Sequence, residues 1–108
     1  MYLIINNEKI EIKDAITFNE RLNGLIGKTN INYGMLFRKC NSIHTFFMKE
    51  DIDIIGLDKD DKIIYIYESL GKNRIIKVNN RINETSILEL PKGLSKCFKL
   101  NDYIKFQN

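Results

Sequence analysis

The chain has one histidine, the side chain best suited to acid–base chemistry near neutral pH. His44 lies between Ile43 and Thr45, and an unperturbed imidazole changes charge between about pH 5 and 8. Asp53 and Glu89 are carboxylates that could act with it as an acid–base pair. The same histidine could instead be a half-buried structural side chain, because its neighbours are typical of a β-strand. The residue types alone leave both interpretations open.

Aromatic and basic side chains follow this histidine directly. Phe46, Phe47 and Lys49 come next to it in the sequence. Because side chains alternate between the two faces of a strand, we expect His44 and Phe46 to share one face, while Thr45 and Phe47 share the other. Aromatic rings beside a lysine ammonium can contact a sugar, a peptide or another protein. This stretch is the second candidate site, for binding and not for catalysis.

Nucleophilic catalysis and metal binding have weaker support. Cys40 or Ser42 could in principle form a catalytic set with His44 and Asp53. However, side chains of near neighbours on one strand and its loop rarely have the geometry to hydrogen-bond to one another. A single histidine without C-x-x-C or H-x-x-x-H spacing gives structural zinc too few ligands. We predict no metal and no cofactor.

Three aspartates near the middle of the chain invite comparison with a calcium loop. These are Asp58, Asp60 and Asp61. The EF-hand pattern needs an oxygen ligand at the position of Lys62 and a glycine at that of Ile63, so it fails twice. The composition predicts a hairpin turn between two strands instead.

Composition limits the class of protein. A length of 108 residues with 44% hydrophobic and 29% charged residues predicts one globular domain over residues 1–108. A net charge of +3 with both signs interspersed argues against a dedicated nucleic-acid binder. We expect no membrane span and no signal peptide, since no apolar run approaches the roughly 20 residues that a spanning helix needs. Cys40 and Cys97 are expected to be free thiols in a cytoplasmic protein.

Short strands are predicted to position most of these residues. Residues 2–5 and 10–13, separated by Asn6-Asn7, predict a hairpin, because asparagine tolerates the positive φ of tight turns. Further runs rich in β-branched and aromatic residues are 35–38, 43–49, 52–57, 63–68, 74–78, 86–90 and 102–106. We expect the run 63–68 to be central, because both of its faces are largely apolar. Pro91 with Gly93 predicts a turn before the last run.

One helix is predicted after the hairpin. Thr17 and Glu20 have the spacing of a capping box, and Gly27 is placed to end the helix. Helical spacing predicts that three apolar side chains bury the helix against the sheet: Phe18, Leu22 and Leu25.

Several motifs occur in a fixed order along the chain. They are Arg21, Gly24-Leu25-Ile26, Gly34-Met35-Leu36-Phe37, the run CNSIHTFFMK at 40–49, Ile52-Asp53, Leu57-Asp58, Leu88-Glu89-Leu90-Pro91, Gly93 and Asp102. This order resembles the prokaryotic domain-of-unknown-function family 192 over about residues 10–106, in the branch with the signature S-I-H-T-F. The chain departs from that branch in two places, with Glu50-Asp51 instead of a Phe-Pro pair and Gly56 instead of a Phe.

The resemblance implies a fold but no reaction. It implies a mainly β, single-domain β-sandwich or flattened barrel of jelly-roll-like character with one short helix. From the motif chemistry we expect Arg21 to form an internal ion pair with Asp53 or Glu89. Structural roles are expected for Arg21, Gly34 and Pro91.

Two functions remain open at this point. The favoured one, by analogy with other small β domains, is a non-catalytic binding or accessory module for a sugar, a peptide or a partner protein. Its predicted binding residues are His44, Phe46, Phe47, Lys49, Asp53 and Glu89. The alternative is a small hydrolase or lyase in which His44 works with Asp53 or Glu89. An enzyme requires that histidine and a carboxylate to meet within hydrogen-bond reach in a concave site.

Overall fold

Strands account for most of the regular structure in a computed structural model that describes residues 1–78 and 81–108. In chain order the elements are β1 (Tyr2–Ile5), β2 (Glu8–Asp14), α1 (Phe18–Asn23), β3 (Gly34–Phe37), β4 (Ser42–His44), β5 (Ile52–Leu57), β6 (Ile63–Leu70), β7 (Ile75–Lys77) and β8 (Ser86–Pro91). Two short 3₁₀ helices, Ile82–Glu84 and Leu94–Cys97, flank β8. The predicted mainly β fold is confirmed.

Two sheets form a flattened, sandwich-like fold. The larger sheet has six strands in the order β1-β2-β3-β8-β5-β6, and β4 pairs with β7 in the smaller sheet. Strands β2 and β3 run parallel, whereas the other pairs are antiparallel. The inner strands β3 and β5 are buried along their whole length. The prediction that residues 63–68 form a central strand was wrong, because β6 is the last strand of the sheet.

Apolar side chains form one cluster on each face of the large sheet. The first cluster consists of Leu3, Ile5, Ile12, Leu36, Ile55, Leu57, Ile63, Leu88, Leu90 and Ile104. The second consists of Ala15, Leu25, Met35, Phe37, Met48, Ile52, Ile54, Leu70, Ile76 and Ile87. Alternation along β5 produces this division, since Ile54 faces the second cluster and Ile55 the first. Polar residues on these strands can therefore be assigned to a face.

Both predicted hairpin turns are confirmed. Asn6 and Asn7 join β1 to β2 with φ of 53° and 65°. Between β5 and β6, the Asp58 carboxylate accepts hydrogen bonds from the backbone N–H groups of Asp60 and Lys62. That carboxylate organises the turn, so its role in the described structure is structural.

The helix begins as predicted but ends early and packs differently. Thr17 and Glu20 form the capping box, and the cap at the other end is Gly24, one turn before Gly27. No residue of α1 is buried; Leu22 is 54% exposed and Phe18 83% exposed. The expectation that Phe18 and Leu22 bury the helix was wrong. Of the three predicted residues only Leu25 packs in the second cluster, and it lies beyond the end of α1.

The C-terminal segment contacts both edges of the large sheet. Residues 102–106 were expected to form a strand, but they make only isolated bridges. Tyr103 pairs with Lys62 beside β6, and Gln107 pairs with Tyr2 of β1. Backbone hydrogen bonds join Tyr2 and Gln107 in both directions, at 2.8 and 2.9 Å. The two edge strands are thereby partly covered, which limits edge-to-edge association.

Candidate binding surface

A tight turn follows β4 where the sequence predicted a longer strand. Thr45, which is fully buried, holds this turn: its hydroxyl donates to the Gly71 carbonyl at 2.6 Å and accepts from the Arg74 backbone N–H at 2.9 Å. The Thr45 backbone N–H donates to the Arg74 carbonyl, and the Met48 N–H donates back to the Thr45 carbonyl. We call residues 45–48 the aromatic turn. Its first and last side chains are buried, so its backbone is fixed at both ends.

The two middle residues of the aromatic turn display their rings to solvent. Phe47 is 84% exposed and has a φ of 65°, a left-handed conformation that is costly for a bulky side chain. Phe46 is partly exposed and stacks on His44 with ring centroids 5.3 Å apart. The predicted alternation of residues 44–47 on one strand was wrong, because β4 ends at His44.

The small sheet continues this surface. Ile43 and Ile76 pair with each other and face the second cluster, so the next pair, His44 and Ile75, lies on the opposite face. Ser42 and Lys77 pair on that same face, and Ile75 is 65% exposed. We call this the outer face, defined by Ser42, His44, Ile75 and Lys77. It is continuous with the aromatic turn through the stacked rings of His44 and Phe46.

Four of the six predicted binding residues lie in or next to the aromatic turn and the outer face. His44 and Phe46 stack, Phe47 is the next residue of the turn, and the exposed Lys49 follows the turn directly. His44 Nδ1 is buried and has no hydrogen-bond partner among the described residues. An imidazole nitrogen can donate or accept a hydrogen bond, but this atom is closed to solvent, so it is an unsatisfied buried group and not a contact point for a ligand.

Asp53 lies elsewhere, inside the fold. It is 0% exposed, and it pairs with Leu90 on the first-cluster face of the sheet. One carboxylate oxygen accepts from the Ser69 N–H at 2.8 Å; the other accepts from the Gly93 N–H, the Ser95 N–H and the Ser95 hydroxyl, at 2.9, 2.9 and 2.6 Å. These four donors favour a structural role, in which Asp53 holds the 3₁₀ helix after β8 against β5.

Glu89 is buried on the other face of the same sheet. It pairs with Ile54 of the second cluster, and its Oε1 accepts from the Leu25 N–H at 3.3 Å. Burial raises the pKa of Glu89 to about 7, and the hydrogen bond from Leu25 opposes this only in part. Gly24 lies directly above the carboxyl group, since a Cβ at that position would come within 2.6 Å of Oε1.

Neither carboxylate forms an acid–base pair with the histidine. Asp53 and Glu89 point to opposite faces of the large sheet, and His44 points away from the second cluster, on the outer face. The three groups therefore do not converge in one concave site. The geometry required for the hydrolase or lyase interpretation is not present in the described structure.

Arg21 does not form the expected ion pair. Its guanidinium donates to two backbone carbonyls, those of Ala15 and Lys39. In the described part of the chain the only ion pair joins Arg38 and Asp61. The prediction of an Arg21 ion pair with Asp53 or Glu89 was therefore wrong, although its contacts still hold α1 against the loop after β3.

Gly34 and Pro91 are the other two residues that were predicted to have structural roles. A Cβ at Gly34 would come within 2.7 Å of Ile12 and 2.9 Å of the Glu89 carbonyl, which accounts for a glycine at this crowded position. Pro91 ends β8 and lines a shallow cleft of about 420 Å³. Glu50 and Asp51, which depart from the family branch, line the same cleft, and Glu50 accepts a hydrogen bond from the Ile31 N–H.

The remaining chemistry-bearing groups are the two thiols and the possible metal ligands. Cys40 and Cys97 are free, as expected, and burial raises the pKa of the Cys40 thiol. Among the described residues, no three His, Cys, Asp or Glu side chains are grouped so that they could hold a metal ion. The helices in residues 1–78 and 81–108 are all too short or too polar to cross a membrane.

Sequence reasoning missed two residues that shape this surface. Thr45 fixes the aromatic turn, and Ile75 supplies the largest apolar side chain of the outer face. A buried threonine hydroxyl has no sequence signature that separates it from an exposed one. Ile75 could have been found only by knowing that residues 75–77 pair with β4.

Fold and surface together define a small, mainly β protein that presents an aromatic turn and contains no assembled catalytic group among its described residues. The chain belongs to the family DUF192, described as uncharacterized ACR, whose model matches residues 2–105. This confirms the resemblance found in its motifs.

Curated relatives come from the archaeal genus Thermococcus. The UPF0127 protein TK1120 of Thermococcus kodakarensis is 37% identical over 111 residues, which cover 93% of this chain and 69% of that protein. A UPF0127 protein of Thermococcus sibiricus is 39% identical over 59 residues, covering 49% of this chain and 38% of that protein. A UPF0127 protein of Thermococcus gammatolerans is 36% identical over 75 residues, 57% of this chain and 48% of that protein.

Two solved structures share the fold. A protein of unknown function from Novosphingobium aromaticivorans has a TM-score of 0.77 at 18% identity, covering 92% of this chain and 76% of that one. A protein from Sinorhizobium meliloti, described as a candidate transcription regulator, has a TM-score of 0.76 at 20% identity, covering 96% and 89% of the two chains. At these identities the likeness establishes the fold alone.

Proposed function

We propose that the protein is a non-catalytic binding module whose ligand contacts the aromatic turn and the outer face. The observation that carries this proposal is Phe47, which is 84% exposed while its backbone is held at a φ of 65°. A left-handed phenylalanine costs on the order of 1 to 3 kcal/mol, and an exposed ring returns none of that through burial. Backbone strain of this kind clusters at functional sites, and among the described non-glycine residues with positive φ Phe47 is the only aromatic one.

The fixed backbone supports the same function. Thr45 and Met48 anchor the turn in the core, so the rings of Phe46 and Phe47 are presented by a backbone that needs little further ordering. Preorganised aromatic side chains favour binding because less conformational entropy is lost when the ligand arrives. His44 adds a third ring, which stacks on Phe46.

The cellular location enters as a further proposal. Two free cysteines, Cys40 and Cys97, are compatible with a reducing compartment. We infer a cytoplasmic binding module on that basis.

Selection from libraries tests the binding function. Random dodecapeptides displayed on phage and an array of glycans are screened against the full chain, against Phe47→Ala and against Phe18→Ala. Phe18 is a matched control, because it is 83% exposed but lies on α1. We expect selected ligands to bind Phe47→Ala about tenfold more weakly or worse, as for an aromatic hot spot, and to bind Phe18→Ala unchanged.

Two outcomes would overturn the proposal. One is the absence of any enriched ligand. The other is enrichment of ligands that bind Phe47→Ala as tightly as the unmodified chain.

A further inference from the structure

We propose that the ligand of this surface is an acidic segment of a partner protein, in which an apolar side chain is flanked by aspartate or glutamate. This inference rests on the proposed binding function and adds the chemistry of the partner. The basis is an apolar centre with cations beside it that the protein itself does not neutralise.

The apolar centre is formed by three side chains from two strands and a turn. Phe47 projects from the aromatic turn, Phe46 stacks on His44, and Ile75 pairs with His44 across the small sheet. All three are large and exposed by a third or more of their surface. A buried apolar anchor surrounded by polar groups is the usual arrangement of a protein-binding hot spot.

Four exposed cations lie along the segments that build this centre. They are Lys49, Lys72, Arg74 and Lys77. Lys77 shares the outer face with Ile75, because the two are separated by one residue on β7. Both backbone groups of Arg74 bond to Thr45, which places it beside the aromatic turn. Within residues 1–78 and 81–108 the only ion pair is that of Arg38 and Asp61, so none of these four cations is neutralised by a salt bridge.

The nearby carboxylates are fewer and partly engaged. Glu50 accepts a hydrogen bond from Ile31, and both Glu50 and Asp51 line the cleft that also contains Pro91. Glu68 is exposed on β6. Four cations against these three carboxylates leave the segments around the aromatic turn with a small excess of positive charge, which favours an anionic partner.

A peptide fits these features better than a polynucleotide. The outer face adds the aliphatic side chain of Ile75 to the rings of the aromatic turn, and a mixed aliphatic and aromatic surface suits an apolar side chain of a peptide, although aromatic rings can also stack on bases. The net charge of the whole chain is only +3, so the positive potential is local and suits a short charged segment. Carboxylates of the partner can meet Lys77 and Arg74, both of which are exposed.

Fluorescence anisotropy with designed probes tests this inference. The probes are fluorescein-labelled dodecapeptides with a central Phe or Leu, flanked in one set by Asp and Glu, in a second by Ser and in a third by Lys. The fourth probe is an oligothymidylate with as many nucleotides as the peptides have residues. We expect the acidic set to bind at least tenfold more tightly than the serine set, the lysine set not to bind, and added salt to weaken binding.

Charge reversal locates the effect on the molecule. Lys77→Glu and Arg74→Glu are each expected to weaken binding of the acidic peptides about tenfold, because each reverses a charge at the edge of the interface. Lys9→Glu is the control with the same change in net charge, because Lys9 is exposed on β2 near the opposite edge of the large sheet. Circular dichroism of each variant verifies that it is folded.

The outcomes separate this inference from the proposed function. If peptides bind through Phe47 without preferring acidic flanks, the binding function stands and the acidic partner is wrong. If acidic peptides bind Phe47→Ala or Lys77→Glu as well as they bind the unmodified chain, the inference is also wrong. Preferential binding of oligothymidylate would replace the peptide with a single-stranded nucleic acid.

Discussion

The ring of Tyr65 lies against the backbone of Gly56, its direct partner on the neighbouring strand. A Cβ at Gly56 would overlap three atoms of that ring. Gly56 stands where the related branch has a phenylalanine, so an aromatic ring from β6 occupies the space beside β5 in this protein. Tyr65 packs against the second cluster, and burial raises the pKa of its hydroxyl, which has no hydrogen-bond partner among the described residues.

Gly56→Ala is therefore expected to destabilise the protein by about 2 to 4 kcal/mol, because the Tyr65 ring must leave its position. Gly71→Ala is the control. Its nearest neighbour is an Asp51 oxygen 3.6 Å from the new Cβ, so it should be neutral or slightly stabilising. Urea unfolding measures both. Equal stability of the two variants would contradict the packing of Tyr65 on Gly56.

The two leucines around the end of α1 should respond very differently to truncation. Leu22→Ala is expected to cost less than about 0.5 kcal/mol, because Leu22 is 54% exposed. Leu25→Ala is expected to cost about 2 to 5 kcal/mol, because Leu25 is fully buried in the second cluster. Thermal or urea unfolding of the pair checks this. A large loss of stability in Leu22→Ala would mean that Leu22 is buried, as its helical spacing predicted.

Local signals predicted the elements of this fold well, and its packing less well. The capping box of Thr17 and Glu20 and the turn of Asn6-Asn7 depend on neighbouring residues, so the sequence contains the whole explanation. The exposure of Phe18 and Leu22 depends on where a six-residue helix comes to lie, which spacing cannot determine. The order of strands, with β6 at the edge, likewise follows from long-range pairing.

The candidate site was predicted in the same partial way. Binding by residues 44–49 stays a prediction. The turn at Thr45 was not predicted, because it depends on hydrogen bonds to Gly71 and Arg74. Asp53 and Glu89 are similar in sequence context. Only the strand pairing reveals that they face opposite sides of one sheet.

Asp53 should be sensitive to loss of its charge. In Asp53→Asn an amide N–H₂ must replace one oxygen and oppose a backbone donor, such as the Ser69 N–H. The expected loss is about 2 to 3 kcal/mol, the usual value of a hydrogen bond to a buried charged group. Asp51→Asn, at a half-buried residue in the cleft, should change stability by less than about 0.5 kcal/mol. A neutral Asp53→Asn would argue against a structural role.

Glu89 should make the folded state less stable as the pH rises. Its pKa is raised from 4.5 to about 7 by burial, so between these values the folded state keeps a proton that the unfolded chain has released. The free energy of unfolding therefore falls with rising pH, by about 3 kcal/mol in total. This contribution is fully present below about pH 4.5 and is lost as the pH passes about 7.

Urea unfolding at intervals from about pH 5 to 8 measures this dependence. Glu89→Gln should remove most of the slope, since its amide oxygen can still accept from Leu25 and no charge is formed. Glu8→Gln, at an exposed residue of β2, should leave the slope unchanged. An unmodified protein with no slope in this range would show that Glu89 ionises normally in the folded state.

Replacing Phe47 should make the protein more stable and abolish ligand binding. Asparagine adopts the left-handed conformation at little cost, so Phe47→Asn is expected to raise the free energy of unfolding by about 1 kcal/mol. Phe46→Asn is the control and should lower it, because Phe46 has an ordinary φ and stacks on His44. Paired unfolding and peptide-binding measurements on both variants test this. A stability loss of more than about 1 kcal/mol in Phe47→Asn would mean that the ring supports the fold, and a stable variant that still binds would place the ligand elsewhere.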